Sequence, residues 1–296
     1  MLRSSLSGAF LLLLFFLSAV SCGTKREEDV RVVSVTIEPQ RYFAEKVGGE
    51  HFKVNVVVPA GQSPETYDPV PRQMMEIGRS AAYLQIGCIG FEQAWMENIR
   101  ANNPDLPVFD LSAGMDMIGG GKEDGHDDED GNGHHHDGAD PHIWSSIQGA
   151  RIIAGNVLNA FVTLDEKNRP LYEENYTRLM AEIKATEDSI ACLLHPVLSR
   201  AFIIYHPALT YFAEDFNLTQ LCIETDGKEP SPAQLMELTD VARNHNARIV
   251  FVQQEFDTKN AEIIARETGC RLVRINPLAY DWPEEMIRIA KALSDE

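Results

Sequence analysis

The sequence predicts an α/β protein of two lobes, each with a mostly parallel sheet flanked by helices, joined by one long rigid helix. Three observations carry this. Short β-branched runs alternate with amphipathic stretches, which is the pattern of parallel strands crossed over by helices. The alternation occurs in two separate series, with a single long helical periodicity between them. At 296 residues the chain is also longer than one typical core needs.

Residues 1–21 read as a signal peptide, with one arginine, an apolar run from Ala9 to Leu17 and small residues before Cys22. Ala19-Val20-Ser21-Cys22 resembles a bacterial lipobox, so Cys22 is the expected lipidation site and residues 22–30 a polar tether. The N-terminal lobe, residues 31–164, opens with RVVSVTI (31–37), a helical PQRYFAEKVGG, and FKVNVVVP (52–59). A helical stretch from Pro71 to Arg79, then AYLQIG (82–87) and a helical FEQAWMENIRANN continue the alternation. After a His-rich acidic loop, 122–142, SSIQGARIIAGNVLNAFVTL reads as the helix that closes this lobe. In the linker, residues 165–196, Tyr172, Tyr176, Leu179, Ile183, Ile190 and Leu194 recur at helical spacing. They predict one helix over 170–194, which at 1.5 Å per residue spans roughly 37 Å. The C-terminal lobe, 197–296, carries strands at AFIIYH (201–206), LTQLCIE (218–224), ARIVFVQQ (247–254) and CRLVRINP (270–277), with helical stretches between.

A formal charge of −19 excludes a nucleic-acid partner, which needs a basic face to displace phosphate counterions. The loop 122–142 alone holds five of the nine histidines and eight carboxylates. It has almost nothing apolar to bury, so His126, His134, His135 and His136 are free to wrap a cation. Clustered imidazoles suit zinc, copper or nickel, whereas magnesium, calcium and manganese prefer oxygen. Zinc is the expected ion, with manganese the alternative.

After Cys22, four cysteines remain: Cys88, Cys192, Cys222 and Cys270. An oxidising compartment allows disulfides, and Cys222 with Cys270 is the first pair to test. No CxxC spacing occurs, so a metal site has to be built from histidine and carboxylate. Ligands of open parallel sheets bind beyond the carboxyl ends of the strands. His206 stands there, directly after AFIIY, and His142 closes the His-rich loop just ahead of a helix. His51, His195 and His245 have no such companions, and Trp95, Trp144 and Trp282 read as packing or loop-closing residues.

The chain resembles the metal-binding lipoproteins that serve bacterial ABC importers of zinc and manganese, of the zinc-uptake type. The resemblance rests on GQSPETYDPVPRQM (61–74), the His-rich loop, DPHIW (140–144), YHPALTYFAEDFNL (205–218), FVQQEFDTKNAEIIARETG (251–269) and INPLAYDW (275–282). It implies two α/β lobes on a rigid helix, with one metal in the cleft. The family's second and third histidine ligands fall on His142 and His206. Its first, usually in a motif like SPHxYEP, is replaced by Glu65 in SPETYDP. A glutamate oxygen binds zinc at nearly the same distance as a histidine nitrogen, so Glu65 is the expected third ligand. Where many members carry a ligating aspartate this chain has Asn276, which leaves the fourth position to water or to Asp281. Glu229 resembles the position of a manganese-type glutamate and is read as a surface residue.

The resemblance implies a lipid-anchored binding component, facing the periplasm or exterior, that hands zinc to a membrane permease and its ATPase on separate chains. A metal-linked surface adhesin accounts for the anchor but not for the ligands. Two histidines and a glutamate also serve zinc hydrolases, but no HExxH helix, GxSxG elbow or phosphate-cradling glycine loop is present, so the chain is not expected to be an enzyme.

Overall fold

The structure is a computed structural model that describes residues 30–119, 138–224 and 230–295. The signal peptide, Cys22, Glu229 and the loop histidines His126, His134, His135 and His136 lie outside the described residues.

Two four-stranded sheets form, and every pairing in both is parallel. The first is built from β1 (Arg31–Val35), β2 (Phe52–Val56), β3 (Ala82–Gln85) and β4 (Val108–Asp110), in the order β2-β1-β3-β4. Its helices are α1 (Glu38–Gly48), α2 (Pro71–Gly78), α3 (Gly90–Asn102) and α4 (Ile147–Leu164). The helix α5 (Arg169–Leu194) follows, 26 residues long. The second sheet takes β5 (Ala201–Ile204), β6 (Thr219–Cys222), β7 (Ile249–Gln253) and β8 (Arg271–Ile275) in the order β6-β5-β7-β8. Helices α6 (Thr210–Asp215), α7 (Pro232–Asn244), α8 (Lys259–Thr268) and α9 (Trp282–Ser294) complete it. The predicted strands are met in each case, trimmed at their ends. The three-residue β4 has no predicted counterpart, because so short a run carries no periodicity.

In each sheet the chain first steps one way and then reverses, so connections from the two central strands diverge at their carboxyl ends. The second sheet's central strands β5 and β7 are buried along their whole length, while β6 and β8 at the edges are not. A continuous core runs from the first sheet through α5 to α9. Trp144 and Trp282, both about 1% exposed, cross-bond within it. The Trp144 indole donates to the Pro277 carbonyl at 3.0 Å, and the Trp282 indole to the Trp144 carbonyl at 2.5 Å. Each indole joins a segment after one sheet to a segment after the other.

The expected Cys222–Cys270 disulfide is not present: all four of the described cysteines are free. Cys222 ends β6 and Cys270 precedes β8, on opposite edges of the sheet with β5 and β7 between. Three strand spacings of about 4.8 Å separate them, beyond the roughly 7 Å that a disulfide spans. Cys270 Sγ instead donates to the Ala247 carbonyl at 3.1 Å.

Glu92, in the first turn of α3, is 1% exposed and clamps the β3–α3 turn by accepting from the amides of Ile86 at 3.1 Å and Gly87 at 2.5 Å, with the Thr36 hydroxyl as a further donor. Burial drives its pKa up to about 7, from an ordinary 4.5. The folded chain therefore keeps a proton that the unfolded chain releases between those values. Stability from this group is lost as the pH climbs through the window and is level above it, by on the order of 3 kcal/mol at most. Urea unfolding across pH 4 to 9 is expected to show the parent losing ground to Glu92→Gln between about pH 4.5 and 7. A difference that does not change with pH would mean that Glu92 titrates as an exposed carboxylate does.

Candidate metal centre

Glu65, His142 and His206 meet at the carboxyl ends of the two sheets, each offering one ligand atom within 4.8 Å of the others. Glu65 comes from the connection after β2, His142 from the connection between β4 and α4, and His206 from the turn after β5. The first two belong to the first sheet's connections and the third to the second sheet's. The three expected ligands are thus brought together across a cleft.

The two rings are aimed by carboxylates. His142 Nδ1 lies 2.7 Å from Asp140 Oδ1, which also accepts the His142 amide at 2.9 Å. His206 Nδ1 lies 3.2 Å from Glu224 Oε2. A carboxylate only accepts, so each Nδ1 carries the proton and each Nε2 presents a lone pair. Burial pushes the Asp140 carboxyl up, but the hydrogen bonds from the His142 ring and amide outweigh that and hold Asp140 below the ordinary carboxylate value. The two Nε2 atoms face each other at 3.2 Å. Two nitrogens bound at 2.0–2.1 Å to one tetrahedral zinc sit about 3.3 Å apart, so the spacing matches.

Backbone contacts fix the rest. Gln253, 2% exposed at the end of β7, donates to the His206 carbonyl at 2.7 Å and accepts from its amide at 3.4 Å. Phe256 stacks on the His206 ring with centroids 5.2 Å apart, and Trp144 meets His142 edge-on at 5.1 Å. Glu65 Oε2 accepts from the Gly90 amide at 3.2 Å, and the Phe91 amide donates to Pro64 at 2.8 Å, so the positive N-terminus of α3 holds the Glu65 loop. Gly90 has to be glycine here: a Cβ would stand 2.6 Å from the Glu65 carbonyl oxygen.

The cavity is about 30 Å³, lined by Ser63, Pro64, Trp144, Ala208, Phe256 and Leu278 among others, together with the three candidate ligands and Glu255. That holds an ion or a water, far less than the several hundred Å³ (roughly 300 and up) that organic ligands fill. No lysine or arginine lines it. Donor lone pairs and carboxylates converge in an apolar shell without a cationic side chain, and such a set calls for a cation.

Asp281, considered as a fourth ligand, does not line the cavity. Its carboxylate caps α9, accepting from the Glu284 amide at 3.2 Å. Asn276 Oδ1 is likewise occupied, accepting from the Leu278 amide at 3.2 Å. Sequence reasoning missed Asp140, Glu224, Gly90 and Gln253 as positioning residues, although Asp140 was in view inside DPHIW.

A family model for the periplasmic component A of the zinc-uptake complex matches residues 33–295. The chain belongs to that family. The zinc-binding lipoprotein AdcA of Streptococcus pneumoniae is 25% identical over 269 residues, which cover 88% of this chain and 52% of AdcA. The chain thus spans about half the length of the streptococcal relatives it matches. The high-affinity zinc uptake system protein ZnuA of Bacillus subtilis is 25% identical over 283 residues, 92% of this chain and 88% of that protein. A crystal structure of ZnuA is 35% identical, with a TM-score of 0.80 over 90% of this chain and 99% of its own. The fold brings Glu65 to the two histidines, with the three ligand atoms within 4.8 Å of one another.

Proposed function

We propose that this chain is the extracytoplasmic binding component of an ABC importer, capturing one zinc ion with Glu65, His142 and His206 and passing it to a membrane permease driven by its ATPase. The observation that carries the reading is the pair of Nε2 atoms 3.2 Å apart, each ring backed by a carboxylate, with Glu65 beside them. The relatives' names and the family support zinc as the cargo. Among the described residues no helix is long and apolar enough to cross a membrane. Cys22 as a lipid anchor would hold the domain at the membrane surface, and His126, His134, His135 and His136 would gather ions near the cleft without fixing their geometry.

Each ring donates its Nδ1–H outward and its Nε2 lone pair inward, which orients the ligands before the ion arrives and lowers the ordering cost of binding. Two imidazoles favour zinc over manganese, while Glu65 is a harder ligand than the histidine it replaces. Protein purified without added metal is therefore expected to retain one zinc per chain, and zinc is expected to displace manganese in competition. Deleting residues 122–138 should remove only weak sites. Retention of manganese against equimolar zinc would make this a carrier of the harder ion, and loss of the tight ion on deletion would move the primary site into the loop.

A further inference from the structure

Glu255 follows β7 by two residues, at the point where the second sheet's connections diverge, and lines the same cavity as Glu65, His142 and His206. Its Oε1 is buried and has no hydrogen-bond partner. Glu65 Oε1, on the other side of the cavity, is in the same condition. Buried carboxylate oxygens are costly to leave unpartnered, so two of them on residues that line one small cavity require an explanation. Asp140 and Glu224 show the contrast, since each has a histidine proton to accept.

Glu255 is not one of the three groups that lie within 4.8 Å of one another. Its side chain has three rotatable bonds, and its neighbour Phe256 is anchored on the His206 ring, which fixes the backbone close to the centre. The other candidates for a fourth donor are engaged elsewhere, Asp281 on the α9 amide and Asn276 on the Leu278 amide. With Glu65 and two neutral imidazoles alone, a divalent ion and its direct ligands would sum to +1 and leave one tetrahedral position open. A second carboxylate cancels that charge.

We propose that Glu255 is the fourth ligand, swinging one carboxylate oxygen onto the ion held by Glu65, His142 and His206 to close a neutral two-nitrogen, two-oxygen tetrahedron. The inference rests on the metal-capture reading above.

The test compares Glu255→Gln, Glu255→Asp and His206→Ala, titrated with zinc against a chromophoric chelator, alongside the melting temperature of each metal-free protein. Glu255→Gln keeps the shape and removes the charge, so it is expected to weaken zinc at least tenfold while metal-free melting stays level or rises. Glu255→Asp, which keeps the charge on a shorter arm, should recover part of the loss. Zinc affinity within twofold of the parent in Glu255→Gln, with His206→Ala losing the ion, would overturn the fourth-ligand assignment and leave the site standing. A tenfold loss accompanied by a fall in metal-free melting would mark Glu255 as structural and overturn it too. Parental affinity in both Glu255→Gln and His206→Ala would remove the site itself, and this inference with it.

Discussion

Replacing His142 or His206 with alanine is expected to abolish tight zinc binding, lowering affinity by about 100-fold or more. The magnitude follows from comparison with outer-shell changes, which alone cost about 10- to 100-fold in metal affinity. Each histidine supplies a neutral nitrogen already aimed by a carboxylate, and no spare imidazole lines the cavity to take its place. Asp140→Ala and Glu224→Ala should fall in that lower, outer-shell range, because they free the ring and its tautomer without removing the donor. Calorimetric titration of the four variants checks the order. Equal losses in all four would mean that the carboxylates bind the ion themselves, and parental affinity in either histidine variant would remove it from the site.

The largest effect on the fold is expected from Trp282→Ala. Trp282 is 1% exposed, packs against Phe43 with centroids 5.5 Å apart and against Tyr42 at 6.4 Å, and donates its indole N–H to Trp144. Phe43 and Tyr42 belong to α1 on the first sheet, so the residue fastens α9 to the other lobe. Truncating a buried tryptophan to alanine costs about 3–5 kcal/mol, from lost burial plus the cavity left behind. Urea unfolding of the metal-free protein measures it. A loss below about 1.5 kcal/mol would mean that the junction repacks and that Trp282 is not the fastening. Because Trp144 follows His142 by two residues, zinc affinity should fall as well, though by less than in the histidine variants.

The alternation of strands and helices was legible because parallel strands buried on both faces read as apolar runs, and because the α5 periodicity persists over 26 residues. His206 stood out by its place directly after an apolar strand and His142 by its place at the close of the His-rich loop, while Glu65 was pointed to only by the resemblance carried by SPETYDP. What was not legible depends on register. Ile204 pairs with Cys222, so two residues further along both strands His206 comes beside Glu224, though they are 18 apart in sequence. Nothing local to either residue announces that. The same strand order separates Cys222 from Cys270, which the strand-like flanks of both could not reveal. Gly90 and Glu65 meet only because α3 points its N-terminus at the loop after β2. Asp140 was the exception: two residues before His142, it is near enough in sequence for its role to be inferred from an Asp-Pro-His turn.

Anomalous scattering at the zinc edge, from crystals of the parent protein grown with one equivalent of zinc, tests the central claim most directly. The account predicts one strong peak in the cleft, about 2.0–2.1 Å from His142 Nε2 and His206 Nε2 and about 2.0–2.2 Å from a Glu65 oxygen. A principal peak on other residues, or one in the cleft that leaves either histidine unbound, would contradict it.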